Sequence, residues 1–236
     1  MRTVLETKNL YRLTRFGMFN SFLVREDAGF TLVDTNFSGS CDSILNAARM
    51  LGAPVTRIAI THAHFDHVGS LDELIRVLPR AEVAIGAREA RILHGDFSLD
   101  PGENGKLFFG FKRVIGRIQH TLNDGDRLGS LRVVSCPGHT PGHIAFFDER
   151  DGSLVAGDSY VTQKGVVAAG VFNVFFPMPA WFSWNPELSA RSAAKLAALK
   201  PARLAVGHGP TVTSPAAAMH AAVELAFRQH PSARTR

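Results

Sequence analysis

An α/β sandwich with two similar halves is the fold class that the 236-residue sequence predicts. Three observations lead there. Segments of strand and helix character alternate, and then alternate again along the second half. No short-period repeat of the solenoid kind interrupts that order. No stretch rich in Ser, Gly and Pro divides the chain, so residues 1–236 are expected to form a single domain. Composition agrees: 45% of residues are hydrophobic and 20% charged, which is ordinary for a globular protein and excludes a disordered one.

The first third reads as strands. Residues 3–6 and 10–14 are short and alternate in polarity. Residues 19–24 and 30–33 flank the turn Glu26-Asp27-Ala28-Gly29 and predict a hairpin. The apolar spacing over 42–51 predicts a helix, stopped by Gly52-Ala53-Pro54. Residues 57–60 are expected as a buried strand. A helix is expected over 67–77, with Leu71, Leu74, Ile75 and Leu78 on one side. A strand at 82–85 and a helix at 87–93 follow. Residues 95–122 are irregular and contain the run Lys106-Leu107-Phe108-Phe109-Gly110-Phe111-Lys112. Strands return at 131–135, 144–147 and 154–156. After an uncharged stretch over 165–186 come an amphipathic helix (186–199), a strand (204–206), a helix (215–227) and a polar, basic tail.

Charge and cysteine usage exclude several function classes. Against 26 Lys and Arg stand 21 Asp and Glu, a net charge of +5 spread thinly. Such a field attracts anionic solutes but is not the dense patch of a nucleic-acid binder, so no nucleic-acid partner is expected. Cys41 and Cys136 form neither a disulfide framework nor a Cys-rich zinc site. No basic segment followed by an apolar one marks a secretory signal, so a cytoplasmic location is expected. Residues 165–184 match a membrane span in length, but Asn173, Pro177, Pro179 and several Gly break such a helix, so no membrane partner is expected.

The ten histidines are unevenly placed. Thr61-His62-Ala63-His64-Phe65-Asp66-His67 follows directly on the strand at 57–60. Two His at i and i+2 on an extended segment point the same way. The chain then turns into a helix, where Asp66 and His67 can face a second point a few ångströms away. One loop can thus serve two adjacent metals. Asp66 as a simple helix cap is the plainer reading. Three further loops repeat the placement of a ligand type just past a strand end. They are Cys136-Pro137-Gly138-His139-Thr140-Pro141-Gly142-His143, Gly157-Asp158 and Gly207-His208-Gly209.

This set of motifs, spanning Asp34 to His208, resembles the metallo-β-lactamase superfamily. The resemblance implies a four-layer αβ/βα sandwich: two mixed sheets flanked by helices, with a dinuclear metal site between the sheets. It implies that His62, His64 and His139 bind the first metal. Asp66, His67 and His208 would bind the second, and Asp158 would bridge the two. Asp34, ending its strand in Leu32-Val33-Asp34-Thr35, matches the family's first motif and is expected to support a ligand or to stabilise its turn. His143 lies outside the family's ligand set and is expected to act behind the ligands. His94, His120, His220 and His230 match nothing.

Nitrogen and oxygen donors without thiolate suit two divalent ions, with Zn expected and Fe or Mn also compatible. The chemistry expected is attack of a metal-bridging hydroxide on a carbonyl carbon, with Asp66 orienting the nucleophile or relaying its proton. Tyr160, two residues past Asp158, is the candidate donor to the oxyanion, set against a packing role. Phe172, Phe175, Phe176, Trp181, Phe182 and Trp184, joined by Phe108, Phe109 and Phe111, are expected to wall the site, or else to pack in the core or a homodimer interface. The expected partner is a small molecule with an apolar part: a lactone, ester or thioester. Quorum-signal lactonases share all seven ligands, and hydroxyacylglutathione hydrolases resemble the motif set. The alternatives are a β-lactamase-like amide hydrolase, a persulfide dioxygenase-like enzyme with one iron, and a non-catalytic metal-stabilised binding module.

Overall fold

The computed structural model describes residues 1–105, 107, 110–174 and 176–234. Its first sheet has seven strands adjacent in chain order: β1 (Arg2–Leu5), β2 (Leu10–Arg15), β3 (Phe19–Glu26), β4 (Gly29–Val33), β5 (Val55–Ile60), β6 (Glu82–Gly86) and β7 (His120–Leu122). Strands β1 to β4 are antiparallel, and β3 and β4 form the expected hairpin. From β4 to β7 the pairing is parallel. Parallel neighbours need crossovers, and helices α1 (Cys41–Met50), α2 (Phe65–Val68), α3 (Leu71–Val77) and α4 (Ala87–Leu93) lie in them.

The second half continues with β8 (Arg127–Leu128), β9 (Leu131–Ser135), β10 (Ile144–Asp148) and β11 (Ser153–Val155). Strands β12 (Tyr160–Val161) and β13 (Val167–Ala168) pair only with each other. Helices α5 (Met178–Trp181) and α6 (Pro186–Ala198) lead to β14 (Arg203–Ala205) and β15 (Val212–Thr213), and α7 (Ala216–Gln229) follows. The second sheet runs β15-β14-β11-β10-β9-β8, with β11 and β14 parallel. No described helix is long and apolar enough to cross a membrane.

Alternation along the strands builds the layers. In β3, Phe22 and Val24 face the second sheet, where they join Val133, Ile144, Phe146 and Val155. The intervening Leu23 faces the other way, toward Ile44 of α1 and Leu71 and Leu74 of α3. Strand β5 splits likewise, with Ala59 between the sheets and Ile58 and Ile60 under the helices. On the far side, Leu154 and Leu204 pack against Ala190, Ala193 and Leu196 of α6 and Met219 and Ala222 of α7. Helices therefore cover the outer face of each of two mixed sheets, as expected.

One element differs from expectation. The helix expected over 67–77 is two helices, with Gly69 and Ser70 between them. A Cβ at Gly69 would overlap backbone atoms of Asn36, Phe37 and Ser38. The loop after β4 crosses there, and its bonds replace helical ones: the Thr35 amide donates to His67 O at 2.6 Å, and the Ser38 hydroxyl to Gly69 O at 3.0 Å. Periodicity reports the apolar face of both pieces and cannot see a neighbouring backbone.

Candidate metal centre

Each candidate ligand sits on a loop leaving the end of a strand. His62 and His64 follow β5, and Asp66 and His67 open α2. His139 follows β9, Asp158 follows β11 and His208 follows β14. The structure brings all seven together. The ligating atoms of His62, His64 and His139 lie within 4.8 Å of one another, as do those of Asp66, His67 and His208 and those of His62, His67 and Asp158. Asp158 stands between the groups, its Oδ2 2.9 Å from His208 Nε2 and 3.5 Å from His139 Nε2, and its Oδ1 3.3 Å from His67 Nε2.

The hydrogen-bond network decides which ring nitrogens are free. Asp34, at the end of β4, accepts the Thr61 amide, the Thr61 hydroxyl and His67 Nδ1–H, each at 2.8 Å. With its proton given to Asp34, the Thr61 oxygen accepts from His62 Nδ1 at 3.0 Å. His139 Nδ1 faces the Ser183 hydroxyl. This assignment leaves His62 Nε2 as a lone pair, and both it and His139 Nε2 lie 3.1 Å from His64 Nδ1. One proton shared there satisfies only one of the two contacts, whereas a cation takes all three lone pairs at once.

The second group shows the same deficit. His67 Nε2, Asp158 Oδ1 and His208 Nδ1 are buried without a hydrogen-bond partner, although the first two are only 3.3 Å apart. His67 Nε2 and Asp158 Oδ1 aim past each other, and His208 presents its other nitrogen, Nε2, to this side, 3.3 Å from Asp66 Oδ2. A Cβ at Gly207 would overlap Asp158 Oδ1 and stand 2.6 Å from His67 Cε1, so that position must stay bare. These residues fit a metal pair held by His62, His64 and His139, and by Asp66, His67 and His208, with Asp158 shared.

Burial first, and neighbouring imidazoles next, hold His62 well below the usual histidine range. Burial also lowers His139 strongly, and lowers His64 to about 4. All three are therefore neutral at pH 7, the form that ligates. At His67 and His208 burial acts the same way, but Asp158 and nearby carboxylates outweigh it and raise both. Burial works against ionising Asp158, yet His208 and His67 hold its carboxyl well below the ordinary range.

Asp34 both shapes the turn and supports a ligand. Its φ of 60° is one that Asp tolerates, and its side chain fixes the His67 ring. Asp34→Ala is expected to weaken metal binding about 10- to 100-fold, the range for a group that orients a ligating imidazole. Chelator competition measures it, and unchanged affinity would remove that role. His143 acts behind the ligands: its Nε2 accepts the Asp158 amide at 3.1 Å, and its Nδ1 lies 3.2 Å from Cys136 Sγ. His94, His120 and His220 are exposed and His230 is half-buried.

Tyr160 does not fit the oxyanion role expected for it. It points into the second core cluster, fully buried, and its hydroxyl donates to Ala193 O of α6 at 2.7 Å. Residue 160 lies in β12, where alternation turns its side chain away from the ligand loops.

A cavity of about 140 Å³ opens onto the ligands. His64, Asp66, His139, Asp158 and His208 form its polar side, and Phe19, Phe37, Phe65, Phe176, Met178 and Phe182 its wall. Among the described residues no Lys or Arg lines it. The segment 165–184 divides three ways. Phe176, Met178 and Phe182 reach the cavity. Val171 joins the core, and Phe172, Val174 and Trp181 are more than half exposed. Trp184 is buried. Phe111 packs on His64 with ring centroids 4.7 Å apart. Phe108, Phe109 and Phe175 lie outside the described residues.

Sequence reasoning missed half of the wall and one buried acid. Phe19 and Phe37 come from the first sheet's rim and carry no motif. Glu89 of α4 is fully buried, and burial pushes its carboxyl up to about 7. The signal that could have found it is a charge on the same helical face as Ile92 and Leu93.

Comparison with known proteins agrees with this fold. A family model described as the metallo-beta-lactamase superfamily matches residues 14–208. Over 228 residues the chain is 39% identical to the uncharacterized protein YobT of Bacillus subtilis (strain 168), covering 94% of this chain and 98% of the relative. It is 32% identical over 210 residues to the probable metallo-hydrolase YflN of the same strain, covering 81% and 79%. A hydroxyacylglutathione hydrolase of Rhodospirillum rubrum is 30% identical over 148 residues, 58% of this chain and 49% of that relative. Among solved structures, TTHA1623 in a di-iron-bound form superposes with a TM-score of 0.65 and 25% identity, covering 86% of this chain and 93% of the other. The metallo-beta-lactamase from Pontibacter korlensis shares the fold, with a TM-score of 0.71 at 16% identity over 97% and 99% of the two chains. The match over most of the chain, with both sheets and their loop-borne His and Asp residues in place, makes this protein a member of the metallo-beta-lactamase superfamily.

Proposed function

We propose that this protein is a dinuclear metal-dependent hydrolase acting on an uncharged carbonyl substrate with an apolar part, a lactone, ester or thioester. The observation that carries this reading is the aromatic cavity ending on two groups of largely buried His and Asp ligands, with Asp158 within 3.5 Å of ring nitrogens of both. His62, His64 and His139 would hold one ion, Asp66, His67 and His208 the other, and Asp158 both. When bound, such ions lower the pKa of a water to about 7 and polarise a carbonyl. Zn suits this donor set, and the di-iron form of TTHA1623 makes Fe a second candidate.

The chain's own residues do the rest. Asp66 is the least buried of the seven, with its side chain 12% exposed, and its carboxylate faces the cavity. It is the group placed to orient a nucleophile and hold its proton. Phe19, Phe37, Phe65, Phe176 and Phe182 exclude water and take the apolar part of the substrate. Among the described residues no Lys or Arg lines the wall, so a substrate carboxylate gains no side-chain cation there. That favours neutral lactones and aryl esters over β-lactams and glutathione thioesters, although a hydroxyacylglutathione hydrolase is among the relatives. The exposed Phe172, Val174 and Trp181 support the homodimer reading of their segment.

The test is metal content together with turnover on lactones, aryl esters, thioesters and β-lactams, before and after chelation. Two divalent ions per chain are expected, with kcat/KM highest on the neutral apolar substrates and lost on chelation. Full turnover in verified metal-free protein, or one iron per chain with oxygen uptake, would overturn the reading.

A further inference from the structure

Glu89 is buried, and among the described residues its carboxylate forms no ion pair. The neighbouring Arg88 guanidinium turns away to Glu103 and Ser98 O. The Glu89 oxygens are instead filled by donors from two separate loops. Oε1 accepts the Ala63 amide at 2.9 Å. Oε2 accepts the Thr140 hydroxyl and the Gly142 amide, both at 2.9 Å. Ala63 is the residue between His62 and His64, and Thr140 follows His139. At Gly142 a Cβ would overlap the Glu89 amide nitrogen, so the second loop lies directly on α4.

We propose that Glu89 is a positioning residue that sets the spacing of His62, His64 and His139 by tying their two loops to one helix. It touches no ligand ring. The proposal rests on the reading of those three histidines as one metal's ligands. Among the described hydrogen bonds, no other side chain joins Ala63 to the loop of His139. Two of the three donors are backbone N–H groups, which can only donate. A glutamine must therefore turn its own NH₂ onto one of them. A carboxyl group satisfies both sides in either protonation state, because a proton on Oε2 can go to the Thr140 oxygen while both oxygens still accept the backbone amides, and this accounts for an ionisable group in so apolar a place.

The test compares wild type with Glu89→Gln and Thr140→Val, which removes one donor and keeps the acid. Zn²⁺ is titrated against a competing chelator, and the histidine ring protons are followed by NMR in metal-free protein. Glu89→Gln is expected to weaken one of two metal equivalents about 10- to 100-fold and to leave the other within about threefold. Thr140→Val is expected to weaken the same equivalent by less. In metal-free protein the rings of His62, His64 and His139 are expected to shift while those of His67 and His208 hold. A general loss of packing would instead lower both equivalents together and move all five rings. That result, or no change in either measurement, overturns the proposal. If Glu89→Gln does not fold, Thr140→Val decides by the same criteria. Should wild type bind no metal, the hydrolase reading fails, and the ring shifts still decide whether Glu89 sets the spacing.

Discussion

Asp158→Asn is expected to lower kcat/KM by more than about 100-fold, beyond the range for residues that merely orient a ligand, and to leave the protein with one tightly bound metal. The carboxylate lies within 3.5 Å of ring nitrogens from three histidines on three loops. Its amide is held by His143, so the side chain cannot swing to another partner. Asparagine keeps the volume and removes the charge that offsets His67 and His208. It also presents an NH₂ to one of the ring nitrogens or to an incoming cation. Metal stoichiometry and steady-state kinetics measure the outcome. Two metals bound, with kcat within threefold of wild type, would remove Asp158 from the shared position.

The metal-free protein is expected to be most stable near pH 6.5 and to lose stability steeply on the acid side. His62, His64, His139 and His143 are all held below the usual histidine value by burial, His64 to about 4 and His143 to about 3. Below pH 6.5 the unfolded chain takes up protons that these four refuse, so stability falls with pH at about 1.4 kcal/mol per unit for each fully linked group. Glu89, raised to about 7, opposes one of them, because the folded state keeps its proton while the unfolded chain ionises. The net is about three groups, or roughly 4 kcal/mol and 10 °C of melting temperature per pH unit. Above pH 6.5 the sign reverses. His67 and His208 are raised, so the stability they contribute is lost as pH climbs through their folded values. Thermal melts of chelated protein from pH 5 to 8.5 read both limbs. A flat acid limb would mean that these histidines are not held neutral.

Much of this architecture is legible in the sequence because its signals are local. Gly207-His208-Gly209 needs only its own strand end to announce itself, and the alternation in β5 places Ala59 opposite to Ile58 and Ile60 without help from elsewhere. What sequence could not show depends on chain segments meeting. The break at Gly69 is caused by the Asn36–Ser38 backbone. The hydroxyl of Tyr160, only two residues from Asp158, is set by Ala193 of a distant helix. Phe19 becomes part of the wall through its bridge to His208. The place of Glu89 is set by two loops that close over it from distant parts of the chain.

That bridge has a wider consequence. Asn20, beside Phe19, donates to Val206 O and Gly209 O and so clasps the His208 loop from the opposite sheet. Each candidate metal draws ligands from both halves of the chain: His62 and His64 with His139, and Asp66 and His67 with His208. An ion held in either position would be a rivet through the seam between the two sheets, added to the apolar contacts and the Asn20 clasp that already join them. The candidate ligand groups are completed only in the closed sandwich, and neither half alone supplies either of them. Loss of such ions is therefore expected to loosen this joint, and demetallation to lower the melting temperature as well as turnover.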